Sequence, residues 1–502
     1  MKRLLAGILL TVFLCGVLPV AAETIPCYTI DREYNEIDSP PAFTPVSKIT
    51  AGKAGAPIGE IADMEASGDH LFLLTIAGDI LIYDNSFQLE KVISGFDNDG
   101  AQDAFKEPRG LTLAPDGDLY IADTENNRIV RLTTDGELVR IYGRPEISVL
   151  DEDYVYKPLK VGVDRAQRIY VIAQGVNRGL VELDVDGNFT GFFGAPKVLY
   201  DPLQILWKRL LSQVASDKLE KFVPTEFSNL TIDQEGFIFT TIRANDITKM
   251  YKAVRAHDQE SVKAVMRLNA GGIDILKRYG DVPIVGDVNF EIPPDSDGSG
   301  ASKETHATYN PSAFVDIAVE ASGTYYCLDA MRGRVFTYDI DGNMLYAFGE
   351  KGSKLGNLEN PVALGLMDDY LLVADNGDTS VTIFQKTDYG QMIEQASLLF
   401  YEGHYDQSLE TWQDVNKYNA NLTIAYIGMG KCYYRLDEYK QAYDCLTIAK
   451  EKYYSSKAFD KYRHELMIRY GTPIFTVGII VVAGIVVFAV YRFIRGRKEV
   501  DE

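Results

Sequence analysis

Six recurring four-strand units, a later switch to helical periodicity and a charge-free apolar run near the C-terminus predict a mainly-β chain. The architecture implied is a six-bladed β-propeller followed by a small α-helical module and one transmembrane helix. The 502 residues divide accordingly. Residues 1–22 are expected to be a signal peptide, 23–50 an N-terminal segment and 51–388 the propeller. Residues 389–469 form the helical module, 470–494 the transmembrane helix and 495–502 a cytoplasmic tail.

The propeller rests on one repeated pattern: an entry Pro, an alternating strand, an Asp-Gly turn, two further strands and an aromatic-Gly ending. Its clearest copy runs from Glu107 to Gly143, EPRGLTLAPDGDLYIADTENNRIVRLTTDGELVRIYG. Period-two alternation marks the strands, and Asp116-Gly117 and Asp135-Gly136 mark the hairpins. The pattern returns from Pro158 to Gly194 and from Pro311 to Gly349. Weaker copies span Ile61 to Phe96, begin at Pro361, and run from Pro224 to Gly280 around an insertion at Asp246 to Ser261. Two more insertions interrupt the rhythm. Pro202 to Phe222 has the apolar spacing of an amphipathic helix and carries Trp207, and Asp281 to Pro311 is a Pro/Gly/Ser-rich loop.

ADTENNRIVRL, with its flanking PRGLTL and DGDLYI, resembles the NHL repeat, and the resemblance covers roughly residues 51 to 388. It implies propeller blades and leaves function open. From Tyr389 a second period of 34 appears, pairing Tyr405 with Tyr439, Ser408 with Ala442 and Leu409 with Tyr443. Ala425 to Ala449 resembles a tetratricopeptide repeat, with Gly430, Tyr433, Ala442 and Ala449 at the small and aromatic positions and Trp412 in an aromatic slot of a degenerate first copy. That resemblance implies a hold on another protein. A rigid stalk is the equally good alternative.

Lys2 and Arg3, the apolar Leu4 to Leu18 and Val20-Ala21-Ala22 read as an exported leader with its cleavage site. Tyr470 to Tyr491 carries no charge, and Arg492, Arg495, Arg497 and Lys498 follow it. By the positive-inside rule the bulk of the chain is then extracytoplasmic. A net charge of −22 argues against nucleic acid as a partner. After leader removal Cys27, Cys327, Cys432 and Cys445 remain, too few for a disulfide framework, and whether Cys432 and Cys445 pair is open. Five His with no paired spacing make an imidazole-built metal site a poor expectation.

The enzymatic rival is a metal-dependent gluconolactonase-type hydrolase, a six-bladed relative whose ion sits on Glu, Asn and Asp at the channel. Aligning first strands puts Arg109, Leu159, Ser228, Val315, Val362 and Ala62 where that family holds metal-binding Asn or Asp, a set unable to form an oxygen cage. One residue on, the ring reads Asp63, Gly110, Lys160, Asn229, Asp316 and Ala363. With Arg109 and Glu226 nearby it suits a polar ligand such as a carbohydrate, or it neutralises itself. Trp207 is a second candidate for sugar stacking. No catalytic residue and no cofactor are assigned; calcium is the one ion that oxygens of Asp63, Asn229 and Asp316 would suit. Asp123, Arg128, Asp329 and Arg334 recur in equivalent places and read as turn and interblade structure.

The whole chain resembles membrane-anchored NHL proteins of Gram-positive bacteria. The resemblance implies an extracytoplasmic binding or scaffold protein, with a sugar-import transporter as its protein partner.

Overall fold

A computed structural model describes residues 25–31, 33–52, 55–148, 150, 153–176, 178–194, 227–242, 247–280, 282–288, 311–418, 420 and 422–498. The expected leader, the Pro202–Phe222 insertion with Trp207, and Glu226 lie outside them. The described chain divides into two compact units.

The first unit is a six-bladed β-propeller. Blade 1 comprises Ile61–Ser67, His70–Thr75, Ile80–Tyr83 and Leu89–Ile93; blade 2, Gly110–Leu113, Leu119–Asp123, Arg128–Leu132 and Leu138–Tyr142. Blade 3 comprises Lys157–Val163, Ile169–Gln174, Leu180–Leu183 and Phe189–Phe193. In each, neighbouring strands are antiparallel and successive, as short hairpin connections require. The second strands are apolar on both sides because both faces of a blade are covered by its neighbours: Leu119 to Asp123 is buried throughout. The core therefore lies between blades. Phe72, Leu74 and Ile82 of blade 1 meet Leu111, Ile121 and Val130 of blade 2, and Tyr120 and Ile129 of blade 2 meet Val161 and Val171 of blade 3.

Three departures from the sequence reading have physical causes. Blade 4 has three strands, Asn229–Ile232, Ile238–Thr241 and Val265–Leu268, among the described residues. After the turn at Asn269–Gly272 the returning chain pairs with the third strand only through an isolated bridge, Leu268↔Asp274, and Asp274 takes the backbone N–H groups of Arg267 and Leu276 where a fourth ladder was expected. The insertion between its second and third strands contains helix α1, Ile247–Ala256, seated through Met250, Ala253 and Val254.

Blade 6 supplies only Pro361–Met367, Tyr370–Asp375 and Ser380–Lys386 from its own stretch; its outer strand is Phe43–Ile49, paired from Lys386↔Phe43 to Val381↔Ile49. The chain thus closes its ring with residues that the sequence reading placed in a separate N-terminal segment. Blade 5, Phe314–Val319, Tyr325–Asp329, Arg334–Tyr338 and Met344–Phe348, gains Cys27–Ile30 and Glu36–Asp38 on its outer edge. Phe43 is fully buried, stacked on Phe348 at 5.0 Å and edge-on to Tyr326 at 6.0 Å.

The second unit is mainly helical and draws on Met392–Glu502. In chain order the helices are α2 (Asp388–Glu402, which begins in the first unit), α3 (Tyr405–Tyr418), α4 (Thr423–Arg435), α5 (Tyr439–Ile448), α6 (Tyr453–Leu466) and α7 (Thr472–Lys498). Helices α3 to α6 pack successively. Glycines set the approach: a Cβ at Gly428 would lie 2.3 Å from the Trp412 ring, and one at Gly430 2.5 Å from Leu446. Cys432 and Cys445 are free thiols, and Cys432 Sγ lies 3.3 Å from Ser408 Oγ. Between α6 and α7 the backbone makes one π-helical turn, Met467–Gly471.

Candidate functional site

The inner strand of every blade is an edge strand facing the central channel, so its outward backbone N–H groups lack a ladder partner. Ring residues supply one. Asp63 accepts from Leu111 N of blade 2 at 2.9 Å, and Asp316 accepts from Leu364 N of blade 6 at 2.6 Å and from Ile317 N at 2.7 Å. Asn229 Oδ1 accepts from Leu230 N at 2.7 Å, while its amide donates to Asp316. Lys160 of blade 3 passes over blade 2, whose ring position is Gly110, and reaches Asp63 at 2.5 Å. A side chain at Gly110 would strike Leu159 O at 2.6 Å, so the glycine leaves that path open.

Of the seven expected site residues, four come together: Asp63, Lys160, Asn229 and Asp316 all line one cavity of about 530 Å³ in the channel. They lie deep in it, with Asp63, Asn229 and Asp316 at most 5 % exposed. Arg109 does not line it; its guanidinium is half exposed, 3.9 Å from Glu107. Trp207 and Glu226 fall outside the described residues. The cavity extends from the ring to Pro115 and Gly117, Asp164 and Arg165, and Asp233, Gln234 and Gly236, in the turns that follow the inner strands.

Glu65 is a further carboxylate in the cavity lining that the first-strand ring does not include. It lies one strand period beyond Asp63, where the other blades carry Thr112, Gly162, Thr231, Ala318 and Gly365. Pairing fixes the equivalence: these six positions face Phe72, Tyr120, Tyr170, Phe239, Tyr326 and Leu372 of the second strands. A lone charge in an otherwise small and neutral set was the available signal. Burial, with Asp63 and Asp316 close by, pushes the Glu65 carboxyl up to about 8, against the weaker pull of its bond from Thr112 Oγ1 (3.3 Å) and of Lys160. Burial likewise raises Asp316 to about 7, opposed by Lys160 and supported by Asp63.

The positions a lactonase cage would use have another task. Ala62, Leu159, Val315 and Val362 each fall at a register shift of the inner strand, and Ala62, Leu159 and Val362 pack against interblade clusters. Among the described residues no three His, Cys, Asp or Glu converge as metal ligands. The repeated Asp residues are structural. Asp123, fully buried, takes Lys106 N, Asn126 and Arg128, and Arg128 also clasps Asp103 through two bonds of 2.8 and 2.9 Å. Asp329 takes Ala313 N and Met331 N, and Asp375 takes Glu359 N, Asn360 N and Gly377 N, the same loop-tying role in blades 5 and 6.

Fold and channel together define a six-bladed β-propeller with a polar, charged axial cavity. Within it the chain carries an NHL repeat: the model of that name matches residues 105–132, the stretch on which the resemblance was read. No curated protein matches the chain. Among solved structures it is similar to selenomethionine-substituted virginiamycin B lyase from Staphylococcus aureus, at 10 % identity and a TM-score of 0.38, covering 65 % of this chain and 95 % of that one. A protein of unknown function from Bacteroides thetaiotaomicron gives 10 % identity and a TM-score of 0.39 over 72 % of this chain and 75 % of its own. The Cps50 (Swd1) β-propeller domain of Myceliophteria thermophila gives 12 % and 0.34 over 64 % and 99 %. None of these likenesses bears on activity.

Proposed function

We propose that the chain is an extracytoplasmic scaffold, held at a membrane by α7, that uses its propeller and paired helices to dock a protein of a membrane complex. The observation that carries this reading is α7 itself. Every large apolar side chain from Ile474 to Phe493 is more than half exposed, a surface that water does not tolerate and a bilayer covers. The ring groups of the channel are engaged with one another and with backbone N–H groups, which argues against their serving as a nucleophile or a metal cage. A sugar-import transporter is the partner that the family resemblance favours. Crosslinking in native membranes should join the chain to a transporter subunit or a solute-binding protein; a membrane preparation yielding neither would sink the scaffold reading. Lys160 is tied to Asp63, so the carbohydrate reading rests on Trp207, and unchanged glycan affinity in Trp207→Ala would remove it.

A further inference from the structure

We propose that the channel cavity is a binding site for a small organic cation, a ligand bearing an ammonium or guanidinium group. This goes beyond the scaffold reading and stands or falls independently of it. The cavity's volume, about 530 Å³, is that of a small-molecule site and far exceeds a bare ion. Its deep end holds three carboxyl groups, Asp63, Glu65 and Asp316, against one cation, Lys160. Lys160 is spent on Asp63, and Asn229, the nearest partner of Asp316, brings no charge. Nearer the turns, Asp164 is paired with Arg168 at 2.7 Å and Asp233 with Arg267 at 2.9 Å, and Arg165 is exposed at the rim. Glu65 therefore faces Asp63 on its own strand, Thr112 of blade 2, Lys160 of blade 3 and Asp316 of blade 5, a set one to two positive charges short.

Room exists where that charge is wanted. At the level of Glu65 the cavity is lined by Gly162, Ala318 and Gly365, the two glycines being packed against Leu230 and Ala66 of the next blades, and Thr112 and Thr231 offer hydroxyls. A cation entering beside Glu65 and Asp316 would favour their ionised forms, so binding should release protons near neutral pH.

The test is calorimetry of the full-length protein in detergent with 1,4-diaminobutane as probe and 1,4-butanediol as the neutral control. The diamine should bind about tenfold or more tightly at pH 8.5 than at pH 6.5, with proton release seen as a dependence of the heat on buffer. Glu65→Gln should cut both the affinity and its pH dependence. Ala318→Met, which narrows the cavity from blade 5 without changing charge, should weaken binding at both pH values. Absence of diamine binding, equal affinity for diol and diamine, or an affinity untouched by both substitutions would overturn the proposal.

Discussion

Two carboxyl groups in the channel make the stability of the folded chain depend on pH in an unusual direction. Asp316 and Glu65 hold their protons to about 7 and about 8 when folded, well above the ordinary carboxylate range of the unfolded chain. From about pH 4 upward the folded state binds protons that the unfolded state has lost. The stabilisation is thus complete below about pH 4 and is lost as pH climbs through 7 and 8. Thermal unfolding of the propeller should show a falling midpoint from pH 6 to 9. Glu65→Gln removes the ionisation and should be worth roughly 1–3 kcal/mol at pH 9 and little at pH 5. A flat profile in the native chain, or the same profile in the variant, would refute the assignment. The ring itself was legible: Asp63, Lys160, Asn229 and Asp316 sit at one repeat position. Glu65 was not, because a charge in a strand reads as solvent-facing until the channel on its other side is known.

At the scale of elements, hairpins and blades could be read because Asp-Gly turns and period-two alternation are local signals. Ring closure could not. Phe43–Ile49 reads as one more polar-apolar stretch, FTPVSKI, and its partner lies more than three hundred residues away in Ser380–Lys386. Nothing local distinguishes a closing strand from a leader's trailing segment. Energetics does: Phe43→Ala empties a slot between Phe348 and Tyr326 and should cost about 3–5 kcal/mol of propeller stability, measured by urea unfolding. A cost near zero would mean that the N-terminal segment decorates the ring without closing it. The helices show the complementary case. Their 34-residue period was visible because Ser408 and Ala442, one period apart, are both fully buried and therefore constrained to be small. Gly428→Val should destabilise the α3–α4 pair by about 2–4 kcal/mol by driving into Trp412, and should leave propeller unfolding unchanged.

For the molecule as a whole, the decisive element is the 27-residue α7. At 1.5 Å per residue it is about 40 Å long, enough for the hydrocarbon core of a bilayer with residues to spare. Tyr470 and Tyr491 bracket the charge-free stretch, as interfacial aromatics do, and Arg492 follows at once. As the proposed anchor, α7 would have all of its apolar sides covered by the bilayer at once. The full chain should therefore stay in the pellet when membranes are washed with alkaline carbonate, and a chain ending at Arg469 should appear in the supernatant with unchanged propeller unfolding. On the topology proposed above, cysteines placed after Lys498 should resist an impermeant thiol reagent in intact cells, while one placed on the exposed turn at Asp116 should react. Reaction of the C-terminal site alone would invert the topology, and with it place the channel cavity on the cytoplasmic side.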